Sequence, residues 1–411
     1  MDVLLRQDAE YIIRKSIAAV LPDAAVKAAL TGKKFPGRVV LVAAGKAAWQ
    51  MAKTAYACVA VESGIVITKY GHAKGPIGKL LIREAGHPTP DEQSFSATEE
   101  VLKMVSGLTK TDTVLFLLSG GGSALFELPL ISGKELQDIT GQLLACGADI
   151  FEINTIRKRL SAVKGGRFAL ACHPAQVYSI VLSDVIGDKL DVIASGPAYP
   201  DSSTCEDAIA VAKKYGLKLS ETAWMLLNEE TPKALTNVTT TVNGSVRQLC
   251  AAAADACREL GYQPCILTQA LTCEAKEAGT ELAESLLKAV GEKSVALIAG
   301  GETVVKLQGR GMGGRNQELA LSGAKVLNGQ EGCALFSVGS DGTDGPTDAA
   351  GGYVDYTTYE RLQQKGIDPL SALAENDSYH ALQAVGGLII TGPTGTNVND
   401  VAVALYRERN V

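Results

Sequence analysis

Charged side chains in two glycine-rich stretches of the C-terminal half are the residues best suited to chemistry. Residues 294–316 read SVALIAGGETVVKLQGRGMGGRN and carry Glu302, Arg310 and Arg315. Residues 339–352 read GSDGTDGPTDAAGG and carry three spaced aspartates. Backbone N–H groups at a glycine-rich helix start, flanked by guanidinium groups, form a binding site for a phosphate or a carboxylate. The first stretch therefore predicts an anion site at a helix that begins near Arg315.

Two further glycine motifs follow apolar runs in the N-terminal half. Lys46 follows a glycine where the run at 38–44 leads into a helix. A positive charge at a helix start opposes the helix dipole unless an anion binds there, so we interpret Lys46 as a phosphate-binding lysine rather than a solvated one. The run at 113–118 ends in SGGGS, which favours a backbone anion nest over a flexible turn. The nest residues are Gly120, Gly121, Gly122 and Ser123.

Aspartates follow the ends of predicted strands in both halves. Aspartates in such loops often only close turns. Where several converge near a phosphate site, they hold Mg²⁺ or accept a proton from a substrate hydroxyl. We favour the second interpretation, whereas we expect His87, in GHPTP, to be structural rather than catalytic. The aspartates are Asp184, Asp188, Asp341, Asp344 and Asp348.

The segment GRGMGG at 309–314 matches the dinucleotide pattern G-x-G-x-x-G, which alone is a weak signal. The preceding residues 303–308 alternate and include Lys306 and Gln308, whereas a central parallel strand is almost entirely apolar. These residues also follow the strand at 294–299 after only a Gly-Gly-Glu turn, which predicts a hairpin. A nicotinamide site is therefore disfavoured, but it remains an alternative.

The chain length predicts two α/β domains, because 411 residues are too many for one ordinary hydrophobic core. Continuous apolar runs at 38–44, 113–118 and 177–182 alternate with helical segments, which is typical of a doubly wound parallel sheet. Ligands bind such sheets at the carboxyl ends of the strands. We place the domain boundary in the polar segment 231–241 and expect a helix after GPTGTNVND.

Composition excludes several classes of protein. A formal charge of −6 and a pI near 5.5 argue against a nucleic-acid-binding surface. No apolar run approaches the roughly 18 residues that span a bilayer. The first ten residues are too charged for a signal peptide. Nine scattered cysteines without a CxxC pair are typical of a reducing compartment. We therefore predict a cytoplasmic protein without membrane or nucleic-acid partners.

Eight motifs, in order along nearly the whole chain, resemble those of the glycerate 2-kinases. They are AAGKAA, SGGGSALFELP, LSDVIGD, SGPAYPDSST, GGET, GGRNQE, GSDGTDGPTDAAGG and TGPTGTNVND. The resemblance implies an N-terminal Rossmann-like domain, assigned to residues 1–236, and a C-terminal mixed α/β MOFRL domain, assigned to 237–411. It also implies an active site in a cleft between the domains, where ATP and Mg²⁺ serve to phosphorylate D-glycerate to 2-phosphoglycerate.

The family's polar active-site positions fall here on Lys46, Asp184, Glu302, Arg315, Asp341 and Asn399. As hypotheses, Lys46 and Arg315 neutralise the transferring phosphoryl oxygens, and the nest holds a phosphate or the glycerate carboxylate. Asp184 orients or deprotonates the C2 hydroxyl, Asp341 and Glu302 help hold Mg²⁺, and Asn399 positions substrate or nucleotide. The sequence leaves open which acid is the base and whether the protein is a homodimer. Family members have also been labelled hydroxypyruvate reductases, which keeps an NAD(P)H-dependent reductase as the alternative function.

Overall fold

The computed structural model describes residues 1–291 and 293–408, and the chain forms two compact units. One unit is Ala25–Asn243, and the other joins Met1–Ala24 to the chain from Gly244 onwards. The first helix, α1 (Val3–Ala19), belongs to the second unit because its apolar face, including Leu5 and Ile12, is buried in that unit's core. The observed division therefore differs from the predicted domain 1–236 in the placement of the first helix.

The unit Ala25–Asn243 is built on a six-stranded sheet of order β3-β2-β1-β4-β5-β6. Strands β1 to β5 are parallel, and the order is that of doubly wound dinucleotide-binding sheets. This arrangement confirms the predicted fold class. The strands are β1 (Val39–Ala44), β2 (Ser63–Lys69), β3 (Leu81–Ala85), β4 (Thr113–Leu118), β5 (Gln176–Leu182) and β6 (Val238–Gly244).

Helices cover both faces of this sheet, which is why its central strands are apolar throughout. In β1, Val40 and Val42 pack in the layer of α4 and α8, whereas Leu41 and Ala43 pack in the layer of α2 and α3. A satellite cluster joins α6, α7, α9 and α10. The helices are α2 (Pro22–Leu30), α3 (Ala48–Cys58), α4 (Glu92–Val105), α5 (Gly122–Leu125), α6 (Gly133–Ala145), α7 (Ile150–Arg159), α8 (Arg167–Ala171), α9 (Cys205–Lys214) and α10 (Glu221–Leu227).

The second unit contains a mixed six-stranded sheet of order β11-β10-β9-β12-β8-β7. Only β7 and β8 pair in parallel, and the other neighbours are antiparallel. The strands are β7 (Gln263–Leu271), β8 (Val295–Gly301), β9 (Cys333–Gly339), β10 (Gly351–Asp355), β11 (Leu388–Ile389) and β12 (Asp400–Tyr406).

This sheet too lies between two helical layers. Phe336 of β9 packs with α1 and α11, and its neighbour Leu335 packs with α12 and α13. The helices are α11 (Val246–Glu259), α12 (Ala275–Ala289), α13 (Arg315–Gly323), α14 (Thr358–Gln364), α15 (Pro369–Ala374) and α16 (Ser378–Ala384). Across residues 1–291 and 293–408, every helix falls short of the length or apolar character that a bilayer crossing needs.

Two predicted elements are wrong. The segment after GPTGTNVND is not a helix but β12, a central strand between β8 and β9. Both of its faces are buried, so its apolar run has no alternation that would distinguish a strand from a buried helix. Residues 303–308 form no hairpin with β8. Within the described residues their only ladder contact is an isolated parallel bridge between Val304 and Glu274.

Candidate active site

The carboxyl ends of the parallel strands bring the N-terminal site residues to one edge of the sheet. Lys46 follows β1, and its backbone N–H donates to the carbonyl of Gly120, after β4, over 2.9 Å. The next N–H, of Ala47, donates to Ser119 Oγ over 3.1 Å. The loops after β1 and β4 are therefore fixed to each other, which places the Lys46 side chain beside the glycines.

Asp184 and His87 reach the same glycines from β5 and β3. A side-chain carbon on Gly120 would lie 2.5 Å from Asp184 Oδ2 and 3.8 Å from Lys46 Cε. One on Gly121 would lie 3.0 Å from His87 Nε2 and 3.3 Å from Lys46 Cγ. Four strand ends thus contribute to one polar site. His87, which we expected to be structural, is part of it.

The predicted nest is only partly available to a ligand. Gly121 adopts a left-handed conformation (φ 86°) that non-glycine residues rarely tolerate. Gly122 instead lies in the core, where a side chain would come within 2.9 Å of Ala194 and Leu118. Its N–H donates to the carbonyl of Ser119 over 3.2 Å. The structure therefore leaves Gly120 and Gly121 as the glycines that face the polar site.

Buried side chains that no sequence motif marked as site residues support Ser123 from behind. Ser123 Oγ lies 3.2 Å from Ser195 Oγ, which donates over 2.8 Å to the buried amide oxygen of Asn154. The Ser123 carbonyl accepts from Lys164 over 2.8 Å. Burial lowers the pKa of Lys164 to about 8, although the charge of Glu127, 3.4 Å away, opposes this. These contacts hold the loop after β4 in one geometry.

Arg315 and its two carboxylates form the centre of the second unit's site. Asp400, the first residue of β12, pairs with Gly301 of β8 and Gly339 of β9, so three strand ends meet there. Arg315 Nε and Nη2 donate to the two oxygens of Asp400 over 2.5 and 3.1 Å. Arg315 Nη1 lies 3.0 Å from Glu302, which also accepts from Asn399 Nδ2 over 3.1 Å.

Burial and charge act in opposite directions on this ion pair. Burial lowers the pKa of Arg315, but the hydrogen bond and charge of Asp400, together with Glu302, outweigh it and raise the pKa. Burial raises the pKa of Asp400 to about 6, although the Arg315 hydrogen bonds oppose this. The carboxylate that orients Arg315 therefore titrates near the lower end of the physiological range. Asp400 was missed by the sequence analysis, which stopped at the adjacent Asn399.

The N-terminus of α13, where we predicted an open anion site, is capped by the protein itself. Asp344 accepts from the backbone N–H groups of Asn316 (3.2 Å) and Gln317 (2.9 Å). A side chain on Gly314 would collide with this carboxylate. The first N–H groups of the helix therefore already have an anionic partner within the protein.

The glycines of GRGMGG serve packing rather than a dinucleotide. Side chains on Gly309, Gly311 and Gly313 would collide with Glu375, Asp377 and Ser378, in the turn after α15 and at the start of α16. The loop is also fixed by hydrogen bonds, because the Gly311 N–H donates to the Glu375 carbonyl over 2.8 Å. Close approach to the protein's own backbone accounts for the pattern that resembled a Rossmann motif.

Asp341 and Glu302, the predicted metal ligands, lie at the same strand ends. Asp341 Oδ1 accepts the N–H of Thr343 over 3.0 Å. Oxygens of Asp341 and Asp400 lie 3.2 and 3.4 Å from the point where a Gly339 side chain would start. In the part of the chain that the structure describes, no three His, Cys, Asp or Glu side chains are grouped to hold a metal.

Comparisons with known proteins find relatives that cover nearly the whole chain. The model described as "Domain of unknown function (DUF4147)" matches residues 8–228, and the MOFRL family model matches residues 295–400. A D-glycerate 2-kinase of Thermotoga maritima is 55% identical, with 98% of each chain covered. A glycerate 2-kinase of Pyrococcus horikoshii is 42% identical over 93% of this chain and 91% of its own. Putative hydroxypyruvate reductases of Agrobacterium vitis are similar at 41% identity.

A solved structure also matches the whole fold. The crystal structure of a glycerate kinase from Thermotoga maritima superposes with a TM-score of 0.94 at 53% identity. The match covers 98% of this chain and 100% of that one. The similarity therefore extends over both units.

Proposed function

Because this chain belongs to the glycerate 2-kinase family, we propose that it transfers the γ-phosphoryl group of ATP to the C2 hydroxyl of D-glycerate. The C2 oxygen forms a bond to the γ-phosphorus as the bond to the bridging oxygen of ADP breaks, and the hydroxyl proton leaves. The products are 2-phospho-D-glycerate, ADP and a proton. The observation that carries the proposal is 55% identity to a D-glycerate 2-kinase over 98% of the chain.

The N-terminal site supplies a base and a cation for this reaction. Asp184 accepts the proton of the C2 hydroxyl, since its carboxylate lies against Gly120 at the open end of the sheet. Lys46 neutralises charge on the transferring phosphoryl group or on the substrate carboxylate. Gly120, Gly121 and Ser123 shape the loop that receives an anionic group. The supporting observation is that four strand ends bring these groups within a few ångströms of one another.

The second unit supplies a guanidinium that is oriented before substrate binds. Two carboxylates hold Arg315, so little reorganisation is needed when it meets developing phosphoryl charge. Mg²⁺ fits the donor set, because it typically uses one or two carboxylates and completes its shell with phosphate oxygens and water. We propose Asp341 and Glu302 as its protein ligands. When bound, the ion would neutralise phosphate charge, and Asn399 would help place substrate or nucleotide.

The reductase alternative is not favoured. Its sequence support was the glycine pattern at 309–314, and those glycines pack against the turn between α15 and α16. The relatives that bear the reductase name are less similar than the 55%-identical kinase. The cytoplasmic location stays a prediction, and the oligomeric state stays open.

A coupled assay tests the proposal. D-glycerate with ATP and Mg²⁺ should yield ADP, whereas hydroxypyruvate with NADH should give no oxidation. Lys46→Met and Arg315→Met should each lower kcat by on the order of 10³, the cost of losing a cation at a transferring phosphoryl group. Lys110→Met is the matched control, because Lys110 is exposed and precedes β4 at the opposite edge of the sheet. Near-normal turnover of both variants, or NADH oxidation by the wild type, would refute the assignment.

A further inference from the structure

His87 lies at the predicted ligand-binding edge of the N-terminal sheet, yet the proposed reaction gives it no role. It follows β3 and is partly exposed. Its ring edge, with Cδ2 and Nε2, lies 2.9 and 3.0 Å from the point where a side chain of Gly121 would begin. A ring in a purely structural role would turn its polar edge to a fixed partner in the core. This edge instead turns towards the glycine surface that Lys46 also flanks.

The charges around Gly120 and Gly121 fit a small monoanion that also carries a hydroxyl group. Lys46 and Lys69 contribute positive charge, and Asp184 contributes negative charge. Burial, followed by the positive charges of Lys46 and Lys69, lowers the pKa of His87, so the imidazole is neutral near pH 7. A triphosphate, with three or four negative charges, would meet the Asp184 carboxylate without enough compensation. A hydroxy acid can offer a carboxylate to the donors and a hydroxyl hydrogen to Asp184.

We propose that His87 is a substrate-binding residue whose Nε2–H donates to the carboxylate of D-glycerate beside Lys46, while Asp184 accepts the C2 hydroxyl. This inference rests on the proposed function, and it assigns the loop of Gly120 and Gly121 to the acceptor substrate rather than to ATP. A neutral imidazole suits the role because it presents a directed donor without adding a second cation. The Nε2–H of His87 would then favour binding of glycerate over uncharged polyols, which lack the carboxylate.

Two amide substitutions distinguish the contribution of Nε2 from that of Nδ1 in the His87 ring. Glutamine places its amide near the position of Nε2, whereas asparagine reaches only to that of Nδ1. His87→Asn should therefore raise the KM for D-glycerate about 10- to 100-fold, as expected for losing a hydrogen bond to a charged group. His87→Gln should retain most of the affinity, and neither variant should change the KM for ATP. His173→Asn is the matched control, because His173 also precedes a proline but is exposed next to the amino end of β5.

A substrate lacking the charge gives a second measurement. D-glyceramide keeps a carbonyl acceptor but lacks the charge, so it should react poorly with the wild type, and His87→Asn should raise its KM less than it raises the KM for D-glycerate. An unchanged KM for D-glycerate in His87→Asn, or a rise in the KM for ATP instead, would overturn the inference. If thermal melting shows that His87→Asn does not fold, His87→Gln still tests the inference. The ratio of the KM for D-glyceramide to the KM for D-glycerate should then be the same in His87→Gln as in the wild type.

The inference and the proposed function fail in different ways. Absence of ADP formation by the wild type with D-glycerate would refute the kinase assignment. Calorimetric titration of D-glycerate into wild type and His87→Asn tests the carboxylate contact without turnover. Binding by the wild type that His87→Asn does not weaken would remove His87 from the site, whatever the reaction.

Discussion

Replacing Asp400 with asparagine should make the enzyme slower without making it less stable. Asp400 is 6% exposed, and each of its two carboxylate oxygens accepts a hydrogen bond from Arg315. Asparagine keeps the shape but offers one acceptor and places an NH₂ group against the guanidinium. One hydrogen bond to a charged group is worth about 1.5–3 kcal/mol, so Arg315 loses its fixed orientation and kcat should fall roughly 10- to 100-fold.

The stability of the same variant follows from the raised pKa of Asp400. A folded-state pKa of about 6 against an ordinary value of 3.8 corresponds to about 3 kcal/mol. Because the folded pKa is the higher one, this contribution to stability is full below pH 4 and is lost as the pH rises through 6. Asparagine is neutral at every pH, so the variant keeps this contribution to stability at pH 8. The free energy of unfolding of Asp400→Asn should therefore lie within about 1 kcal/mol of the wild-type value at pH 4.5 and exceed it at pH 8 by up to about 3 kcal/mol.

The assay combines steady-state kinetics at pH 8 with thermal unfolding at pH 4.5 and 8. A gain of that size should raise Tm at pH 8 by several degrees, at roughly 2–4 °C per kcal/mol. Arg315→Lys tests the pairing, because lysine keeps the charge but cannot make the two-pronged contact. Its kcat loss should overlap with that of Asp400→Asn in the double variant rather than add. If Asp400→Asn melts earlier than the wild type at pH 8, the raised pKa of Asp400 is contradicted. If it keeps its full kcat, Asp400 does not act through Arg315.

Two further substitutions test the packing beneath the site. Asp344→Ala removes the carboxylate cap of α13 and should lower the free energy of unfolding by about 2 kcal/mol, which is the upper end for a helix cap. Thermal melts measure the loss, and Asp348→Ala is the control at an exposed position. Gly279→Ala would force a methyl group of α12 against the Leu319 carbonyl of α13 and should cost about 1–3 kcal/mol in urea unfolding. Gly141→Ala, in the open middle of α6, should instead stabilise by about 0.5–1 kcal/mol, and equal effects at the two positions would contradict the contact argument.

The parallel sheet was predictable because burial on both faces leaves an unbroken apolar run in each central strand. Strands β1, β4 and β5 coincide with such runs. The same property made β12 unpredictable, since a short run rich in alanine, valine and leucine reads equally as a buried helix. The edge strand β3 was missed for the opposite reason. Its residues are mostly half-buried or exposed, so it carries little apolar signal.

The positions of the candidate site residues were predictable where a loop motif follows a strand end, but not where one side chain supports another from behind. Lys46 and Asp184 each follow a strong strand and reach the same glycines, as expected from parallel strand ends. Asp400 lies inside a strand that was not predicted, so its carboxylate had no predicted position next to Arg315. Asn154 and Lys164 support Ser123 from helix α7 and from the loop after it, through contacts remote in sequence. Such contacts join residues that are far apart in the sequence, so they form no motif from which the contact could be predicted.

Glycine motifs were the weakest guide to ligand-binding loops, because glycine serves two purposes that the sequence cannot separate. At Gly121 the missing side chain opens a polar surface flanked by His87 and Lys46, which is what a ligand loop requires. At Gly311 it lets the backbone approach Asp377, which is what packing requires. The distinction depends on what a methyl group would meet. A loop glycine that would collide with catalytic side chains at an open strand end marks a binding surface, and one that would collide with backbone marks a fixed turn. By that criterion the loop after β4 is the candidate ligand loop of the N-terminal unit, and GRGMGG belongs to the scaffold that holds Arg315 in the second unit.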